Sequence, residues 1–225
     1  MSSTISENLQ YLKKQIPEDV CLVAVSKTKP IEDLEQAYEA GQRVFGENKI
    51  QEMTGKWEYL PKDIEWHMIG SVQRNKVKYM APYVHLIHAV DSLRLLEEIN
   101  KQALKNKRKI NCLLQLKIAT EETKQGLDID VLFDIINSDV WQNFTNIEVK
   151  GLMGMASFTA DQAQIEQEFT FLRTTFDRLK AQSLPGNINM EILSMGMSGD
   201  YPLAIAAGST MIRVGSAIFG KRNYN

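Results

Sequence analysis

The chain has 225 residues and a formal net charge of -2, and 44% of its residues are hydrophobic. A chain so close to neutral has no basic footprint for nucleic acid, so we expect no nucleic-acid partner. It has no apolar run of membrane-spanning length and no signal-peptide pattern at its start, so we expect a cytoplasmic protein without a membrane segment.

Strand-like and helix-like segments alternate along the sequence. Thr4 and Glu7 have the spacing of a capping box, which predicts the start of a leading helix. Two later helical segments, 31–40 and 202–207, are each followed by a glycine typical of a helix end, and the longest, about 161–183, has one apolar stripe. Eight β-rich runs are found at residues 21–26, 43–48, 65–70, 85–90, 110–118, 148–156, 189–195 and 210–219.

This alternation predicts the fold class. Eight βα units without linkers or repeats indicate an α/β protein, a single (β/α)8 TIM barrel domain over residues 1–225. The alternative is an open doubly wound sheet, which would need helices on both faces and an unusually large number of strands. In a barrel of this kind the functional site lies at the carboxyl ends of the strands.

The first predicted strand runs directly into Lys27. Desolvation at a strand end favours the neutral amine of a lysine, which can then attack an aldehyde. The common alternative is a lysine that extends into solvent. Lys29 competes for a reactive role, but strand alternation places Lys27 on the same side as Val23 and Val25, which favours Lys27.

The loops after the last two strands are where such barrels commonly hold a phosphate. Ser198 and Ser216 supply hydroxyl groups there, and Gly215 permits close approach of the backbone. Backbone N–H groups at a short helix start would complete an anion site. A plain turn is the alternative interpretation of either loop taken alone.

Arg213 lies within the apolar run 211–214. A guanidinium stays charged in such a place and needs an acceptor. One interpretation is a buried ion pair with Glu47 or Asp200. The other is a donor to the ring nitrogen or phosphate of a ligand, and the residues alone leave both open.

The cysteines and histidines indicate neither a disulfide framework nor a metal site. Cys21 and Cys112 fall in apolar strand-like runs, as expected of buried thiols in a reduced protein. His85 and His88 stand at odd spacing in one predicted strand, so we expect them to face opposite sides. We interpret them, with His67, as core histidines.

Several motifs, in the order of the predicted strands, resemble the YggS/PROSC family of pyridoxal phosphate homeostasis proteins from about residue 4 onward. The motifs are 24–30 (AVSKTKP), 45–48 (FGEN), 66–70 (WHMIG), 73–76 (QRNK), 151–153 (GLM), 194–200 (SMGMSGD) and 207–220 (AGSTMIRVGSAIFG). The resemblance implies a fold like the N-terminal barrel of alanine racemase and covalent binding of pyridoxal 5′-phosphate (PLP). The chain departs from common family patterns at Lys49-Ile50 and at Gln125, both near the rim of the expected site.

The resemblance also implies roles for individual residues. Lys27 would form the internal aldimine with PLP, and Arg213 would donate to the pyridine nitrogen. The phosphate would be held by Ser198, Gly215 and Ser216. Further residues expected at the cofactor are Asn48 and Met197, with Ser194 near the phosphate end.

A carrier is the first hypothesis for the function. The PLP ring is the strongest electron sink when its nitrogen is protonated. Arg213 is a cation without an acceptor, so it would keep that nitrogen unprotonated and the sink weak. Alanine racemase draws its second acid or base, a tyrosine, from a separate domain, which we do not expect here; Tyr201 and Tyr224 are the tyrosines nearest the last elements. We therefore expect a non-catalytic, monomeric PLP carrier, with PLP-dependent apo-enzymes as candidate recipients.

Two enzyme hypotheses remain beside the carrier. The first is a weakly active, racemase-like PLP enzyme acting on amino acids. The second is a Schiff-base aldolase for a phosphorylated sugar that uses no PLP, which would leave Arg213 without a role.

Overall fold

The barrel is closed by eight parallel strands that follow one another in chain order, which confirms the predicted architecture over the open sheet. The computed structural model describes residues 4–121 and 125–220. The strands are β1 (Cys21–Val25), β2 (Val44–Glu47), β3 (Glu65–Met68), β4 (Leu86–Val90), β5 (Ile110–Gln115), β6 (Ile147–Met153), β7 (Ile188–Met197) and β8 (Met211–Val214). β8 pairs with β1, so the ring has no open edge.

Helices connect the strands and cover the outside of the ring. They are α1 (Ile5–Gln15), α2 (Ile31–Glu39), α3 (Ile50–Tyr59), α4 (Val77–Met80), α5 (Leu93–Lys105), α6 (Ile129–Ile136), α7 (Gln162–Lys180), α8 (Tyr201–Ala206) and α9 (Ser216–Phe219), with 3-10 turns at Arg74–Lys76 and Asp139–Asn143. Among the described residues, no helix combines the length and apolarity needed to cross a membrane.

The helix signals in the sequence correspond to real helix ends. Thr4 and Glu7 form the predicted reciprocal capping box of α1. Gly41 and Gly208 both have φ near +85 to +89°, the left-handed backbone that ends a helix and that glycine adopts without strain. The last β-rich run was predicted too long, because β8 ends at Val214 and α9 begins two residues later.

Side chains alternate between two separate cores along each strand. Outward residues such as Phe45 and Trp66 join the large core between strands and helices. Inward residues fill the barrel itself, and the buried members of this smaller core are Val23, Leu86, Ala89, Leu113, Met153 and Met211. Polar side chains that point inward therefore enter a narrow, packed space.

Strand β6 departs from regular geometry at Gly151. Its pairing with β5 shifts between Cys112 and Leu113, and its pairing with β7 shifts between Val149 and Gly151. Gly151 has φ +150°, and a Cβ there would lie 1.9 Å from the carbonyl oxygen of Ile192. The backbone of β7 therefore approaches this glycine more closely than any side chain would allow.

Candidate functional site

A cavity of about 670 Å³ opens at the carboxyl ends of the strands. Seven residues singled out from the sequence line its wall: Lys27, Asn48, Met197, Ser198, Arg213, Gly215 and Ser216. Ser194, which was expected near the phosphate end, does not line the cavity and is buried against Arg213 and His88. Its volume lies within the range of roughly 300–1,000 Å³ that is usual for small-molecule sites.

Lys27 and Lys29 occupy different surroundings. Lys27 lines the cavity. Lys29 donates instead to the carbonyl oxygen of Phe219 at 2.7 Å, at the end of α9. The chain turns between them because Thr28 has φ +62°, and the backbone N–H of Thr28 donates to Glu52 Oε1 at 2.6 Å. The structure therefore separates the two lysines as alternation predicted.

A buried ion-pair network supports the backbone on the other side of Lys27. Lys56 Nζ lies 2.8 Å from both Glu47 Oε1 and Glu52 Oε1, and it donates to the carbonyl oxygen of Ser26 at 2.8 Å. Ser26 Oγ donates to Glu47 Oε1 at 2.6 Å. Burial raises the pKa of Glu47, and the Lys56 charge opposes this rise. The network holds the two residues that flank Lys27.

Arg213 is almost fully buried and points into the barrel from β8. Its Nη1 donates to Ser194 Oγ at 2.6 Å, and its Nη2 donates to the carbonyl oxygen of Gly154 at 3.0 Å. Burial lowers the pKa of the guanidinium to about 10, and the Asp200 charge opposes this shift. The group remains a cation at neutral pH.

The ion-pair interpretation of Arg213 is wrong within the described residues. Glu47 lies on the outward face of β2 and pairs with Lys56. Asp200 Oδ1 accepts the backbone N–H of Met197 at 2.5 Å and closes the turn before α8. The acceptors of Arg213 are a hydroxyl and a carbonyl, neither of which is charged.

A chain of buried side chains continues from Arg213 through the barrel. His88 Nδ1 lies 3.0 Å from Ser194 Oγ, and His88 Nε2 lies 3.0 Å from His67 Nδ1. Burial lowers the pKa of His67 to about 3 and holds that of His88 well below its ordinary value, so both rings are neutral at pH 7. The chain of contacts connects the cavity to the opposite mouth of the barrel.

The histidine predictions were only partly correct. His88 is a satisfied core histidine, as expected. His85 is not in the core, since its side chain is 46% exposed just before β4. Nor do His85 and His88 face opposite sides: their ring centroids lie 5.5 and 5.1 Å from that of His67. β4 begins at Leu86, so His85 lies outside the strand and strand alternation does not determine its direction.

The loops after β7 and β8 meet at one side of the cavity. Ser198 Oγ accepts the backbone N–H of Gly215 at 3.2 Å, which ties the two loops together. A Cβ on Gly215 would lie 3.0 Å from the carbonyl oxygen of Val25. Gly215 therefore permits the last loop to close against β1, beside the hydroxyl group of Ser216.

Asn48 and its neighbours form the opposite side of the cavity. Asn48 Oδ1 is buried without a hydrogen-bond partner among the described residues. A Cβ on Gly70 would lie 2.5 Å from the Asn48 carbonyl oxygen, so the two loops touch through their backbones. An orphaned acceptor in a cavity wall is the kind of group that a ligand donor satisfies.

Gln125 lies at the rim of the cavity, as expected from the sequence, whereas its neighbours Ser71, Gln115 and Phe158 were not identified from the sequence as part of the site. Gln125 Oε1 accepts a hydrogen bond from Ser71 Oγ, and its carbonyl oxygen accepts one from Gln115 Nε2 at 2.8 Å. Phe158 is almost fully exposed at the mouth. Gln115 could have been identified by its place at the carboxyl end of β5, whereas loop residues gave no periodic signal. Residues 122–124 of the Gln125 loop lie outside the described residues.

Both cysteines are free thiols, as predicted. Cys112 is fully buried, and burial raises its pKa. Cys21 is partly buried, and burial raises its pKa to about 11. Neither thiol lines the cavity, so neither contributes a nucleophile to this site.

Known proteins resemble this chain over nearly its whole length. The family described as "Alanine racemase, N-terminal domain" matches residues 2–223. The pyridoxal phosphate homeostasis protein of Pasteurella multocida is 40% identical, over 98% of this chain and 96% of its own. PipY of Synechococcus elongatus has TM-scores of 0.89 without PLP and 0.85 with PLP bound, at 36% and 35% identity, over 96% of this chain and 100% of PipY.

More distant enzymes share the fold alone. Alanine racemase from Bartonella henselae, which has covalently bound pyridoxal phosphate, has a TM-score of 0.71 at 19% identity, over 97% of this chain and 60% of its own. The profile match and the nearer relatives show that the chain belongs to the alanine racemase N-terminal domain family and, within it, to the YggS/PROSC family of pyridoxal phosphate homeostasis proteins.

Proposed function

We propose that this protein binds PLP in the cavity at the carboxyl ends of the strands and serves intracellular PLP homeostasis as a carrier. The observation that carries the proposal is the convergence of a lysine, a buried arginine and two serine hydroxyls on one cavity. The name of the Pasteurella relative and the PLP bound to PipY support it.

Residues around the cavity fit the phosphate and the ring nitrogen of PLP. Ser198 and Ser216 offer hydroxyls to the phosphate, and Gly215 leaves room for it. Arg213 offers its guanidinium to the ring nitrogen. Asn48 Oδ1, which is buried without a partner among the described residues, offers an acceptor. Met197 would supply an apolar contact beside them.

Lys27 is the residue that we propose to bind PLP covalently. Its amine would add to the aldehyde carbon, and loss of one water molecule would leave a C=N bond in place of the C=O bond. Lys29 is held by the carbonyl of Phe219 and does not line the cavity. The supports at Ser26 and Thr28 fix the backbone on both sides of Lys27.

Arg213 favours stable binding of PLP over catalytic turnover. PLP supplies an electron sink when bound, and that sink is strongest with a protonated ring nitrogen. Arg213 is itself a cation with no acceptor, so it donates to that nitrogen and cannot stabilise a proton there. We therefore propose that the protein has little or no catalytic activity.

A weakly active, racemase-like enzyme is the second candidate, favoured by the shared barrel. It needs a second acid or base beside the ring. Tyr201 does not line the cavity and its hydroxyl donates to Gln15 Oε1 at 3.1 Å, while Tyr224 lies outside the described residues. Exchange of the alanine α-hydrogen in deuterated water, followed by NMR, separates the candidates. The carrier predicts no exchange beyond that caused by dissolved PLP.

Borohydride reduction followed by peptide mapping tests the site. We expect one pyridoxyl group per chain, on Lys27. Lys27→Ala should abolish the label, whereas the matched variant Lys29→Ala should retain it. A label on Lys29 would overturn the assignment to Lys27. Absence of any label on the wild-type protein would overturn covalent PLP binding and would favour the aldolase hypothesis without PLP.

The cellular setting belongs to the same proposal. We propose that the carrier acts in the cytoplasm as a monomer and delivers PLP to PLP-dependent apo-enzymes. Sedimentation of the PLP-loaded protein measures its oligomeric state, and activation of an apo-enzyme faster than by dissolved PLP measures delivery.

A further inference from the structure

Three potential metal ligands cluster at the amino-terminal mouth of the barrel, opposite the PLP cavity. Glu65 and His67 stand two residues apart on β3, so both side chains point to the same face. His85 comes directly before β4, which pairs with β3 through His67 and Leu86. One ligand atom from each of the three residues lies within 4.8 Å of the other two.

His67 carries the observation that distinguishes this cluster from an ordinary surface group. Its side chain is 2% exposed, and its Nδ1 lies 3.0 Å from His88 Nε2. Its other nitrogen, Nε2, is buried without a hydrogen-bond partner among the described residues. Buried nitrogens are rarely left in this state, so a group absent from the protein chain is expected to satisfy it.

His88 is placed as an outer partner of a metal ligand would be. A metal-binding histidine typically donates its second N–H to a neighbouring group, which fixes the tautomer. Here His67 Nδ1 can donate to His88 Nε2, which leaves the lone pair of His67 Nε2 for a metal. His88 Nδ1 then donates to Ser194 Oγ at 3.0 Å. The buried chain thus accommodates the tautomer that a metal requires.

The other two ligands can close around an ion. The side chains of Glu65 and His85 are each 46% exposed, and His85 Nε2 already lies 3.5 Å from Glu65 Oε2. Two imidazoles and one carboxylate form a ligand set that Zn²⁺ takes in proteins, with a water in the remaining position. The solvent-facing side of the mouth leaves space for that water.

We propose that Glu65, His67 and His85 form a binding site for one divalent transition-metal ion of the Zn²⁺ class. The site is separate from the PLP cavity and does not depend on PLP binding. Its ligands come from β3 and from the start of β4, so a bound ion would clamp two neighbouring strands at the base of the barrel.

Cobalt titration of the full chain, stripped of metal and of PLP, tests the site. We expect one Co²⁺ per chain with visible absorption bands of a low-coordinate site, displacement by one equivalent of Zn²⁺, and a rise in Tm with Zn²⁺. His85→Ala and Glu65→Gln should each weaken binding by more than the roughly tenfold that loss of an outer partner causes.

The control is Glu191→Gln, which removes a carboxylate of similar exposure that pairs with Lys150 outside the cluster. It should leave Co²⁺ binding unchanged. All three substitutions are at half-exposed positions, and thermal unfolding without metal checks that each variant folds. Absence of stoichiometric Co²⁺ binding by the wild-type protein would refute the site. Wild-type affinity for Co²⁺ in His85→Ala and Glu65→Gln would refute it as well.

Discussion

Gly151→Ala should destabilise the protein by about 4 kcal/mol or more, or prevent folding altogether. The new Cβ would lie 1.9 Å from the carbonyl oxygen of Ile192, and the φ of +150° is unfavourable for alanine. To remove this clash, β6 and β7 would have to separate and lose the hydrogen bonds between them. Urea unfolding followed by circular dichroism measures the change.

A second glycine provides a matched control of opposite sign. Gly55 lies inside α3, and a Cβ there would meet nothing within 4 Å. Gly55→Ala should therefore stabilise the protein by about 0.5–1 kcal/mol, because alanine favours a helix over glycine. If both variants changed the free energy of unfolding by a similar amount, the close contact with Ile192 would not be the reason that position 151 requires glycine.

Lys56→Met should destabilise the protein by about 3–5 kcal/mol at pH 8, because it leaves the buried Glu47 carboxylate without its counter-charge. The side chains of Lys56 and Glu47 are 7% and 0% exposed. Lys101→Met is the control, since Lys101 is exposed and its nearest carboxylate is 3.9 Å away. It should change stability by less than about 0.5 kcal/mol.

The stability lost in Lys56→Met should increase as pH rises. Burial raises the pKa of Glu47, and removing Lys56 removes the charge that opposes this rise. The folded variant then binds a proton more tightly than the unfolded chain does. Its stability should therefore fall as pH rises above the ordinary carboxyl value of 4.5 through the raised pKa of Glu47.

A double variant separates the charge from the shape of the side chains. Glu47→Gln combined with Lys56→Met should recover part of the stability and remove the pH dependence, since no carboxylate is left unpaired at that position. A loss of the same size at pH 5 and pH 8 in Lys56→Met would contradict the electrostatic explanation. Because Lys56 also binds the carbonyl of Ser26, weaker PLP labelling of Lys27 should accompany the loss.

Alternation along the strands accounts for what the sequence predicted well. The βα pattern predicted the closed barrel, and the two-residue period placed Lys27 inward with Val23 and Val25. The same period assigns Glu47 to the outward face, because it stands at odd spacing from the inward Val44. An outward ion pair of Glu47 with a helix residue could therefore have been predicted. The partner is not local to the strand, because it comes from the next helix.

Strand boundaries account for part of what the sequence did not predict. β4 begins at Leu86, so strand alternation does not fix the direction of the His85 side chain, and both His85 and His88 contact His67. The sequence pattern had placed His85 inside the strand. The residues expected at the cofactor were predicted from motifs, and all of them except the buried Ser194 line one cavity. Which of them bind PLP stays a prediction.

The pairing of β8 with β1 has a consequence for how the site comes into being. Cys21 pairs with Met211, so the pairing of β8 with β1 joins segments 190 positions apart. Because closing so long a loop costs entropy, we expect this pairing to form late in folding. Lys27 follows one of these strands, and Arg213 lies in the other. A chain that has not yet closed its ring therefore has two unpaired edges prone to aggregation and no assembled cofactor cavity. A ligand that binds only the closed ring would stabilise it relative to the open chain, and so would favour completion of this final pairing.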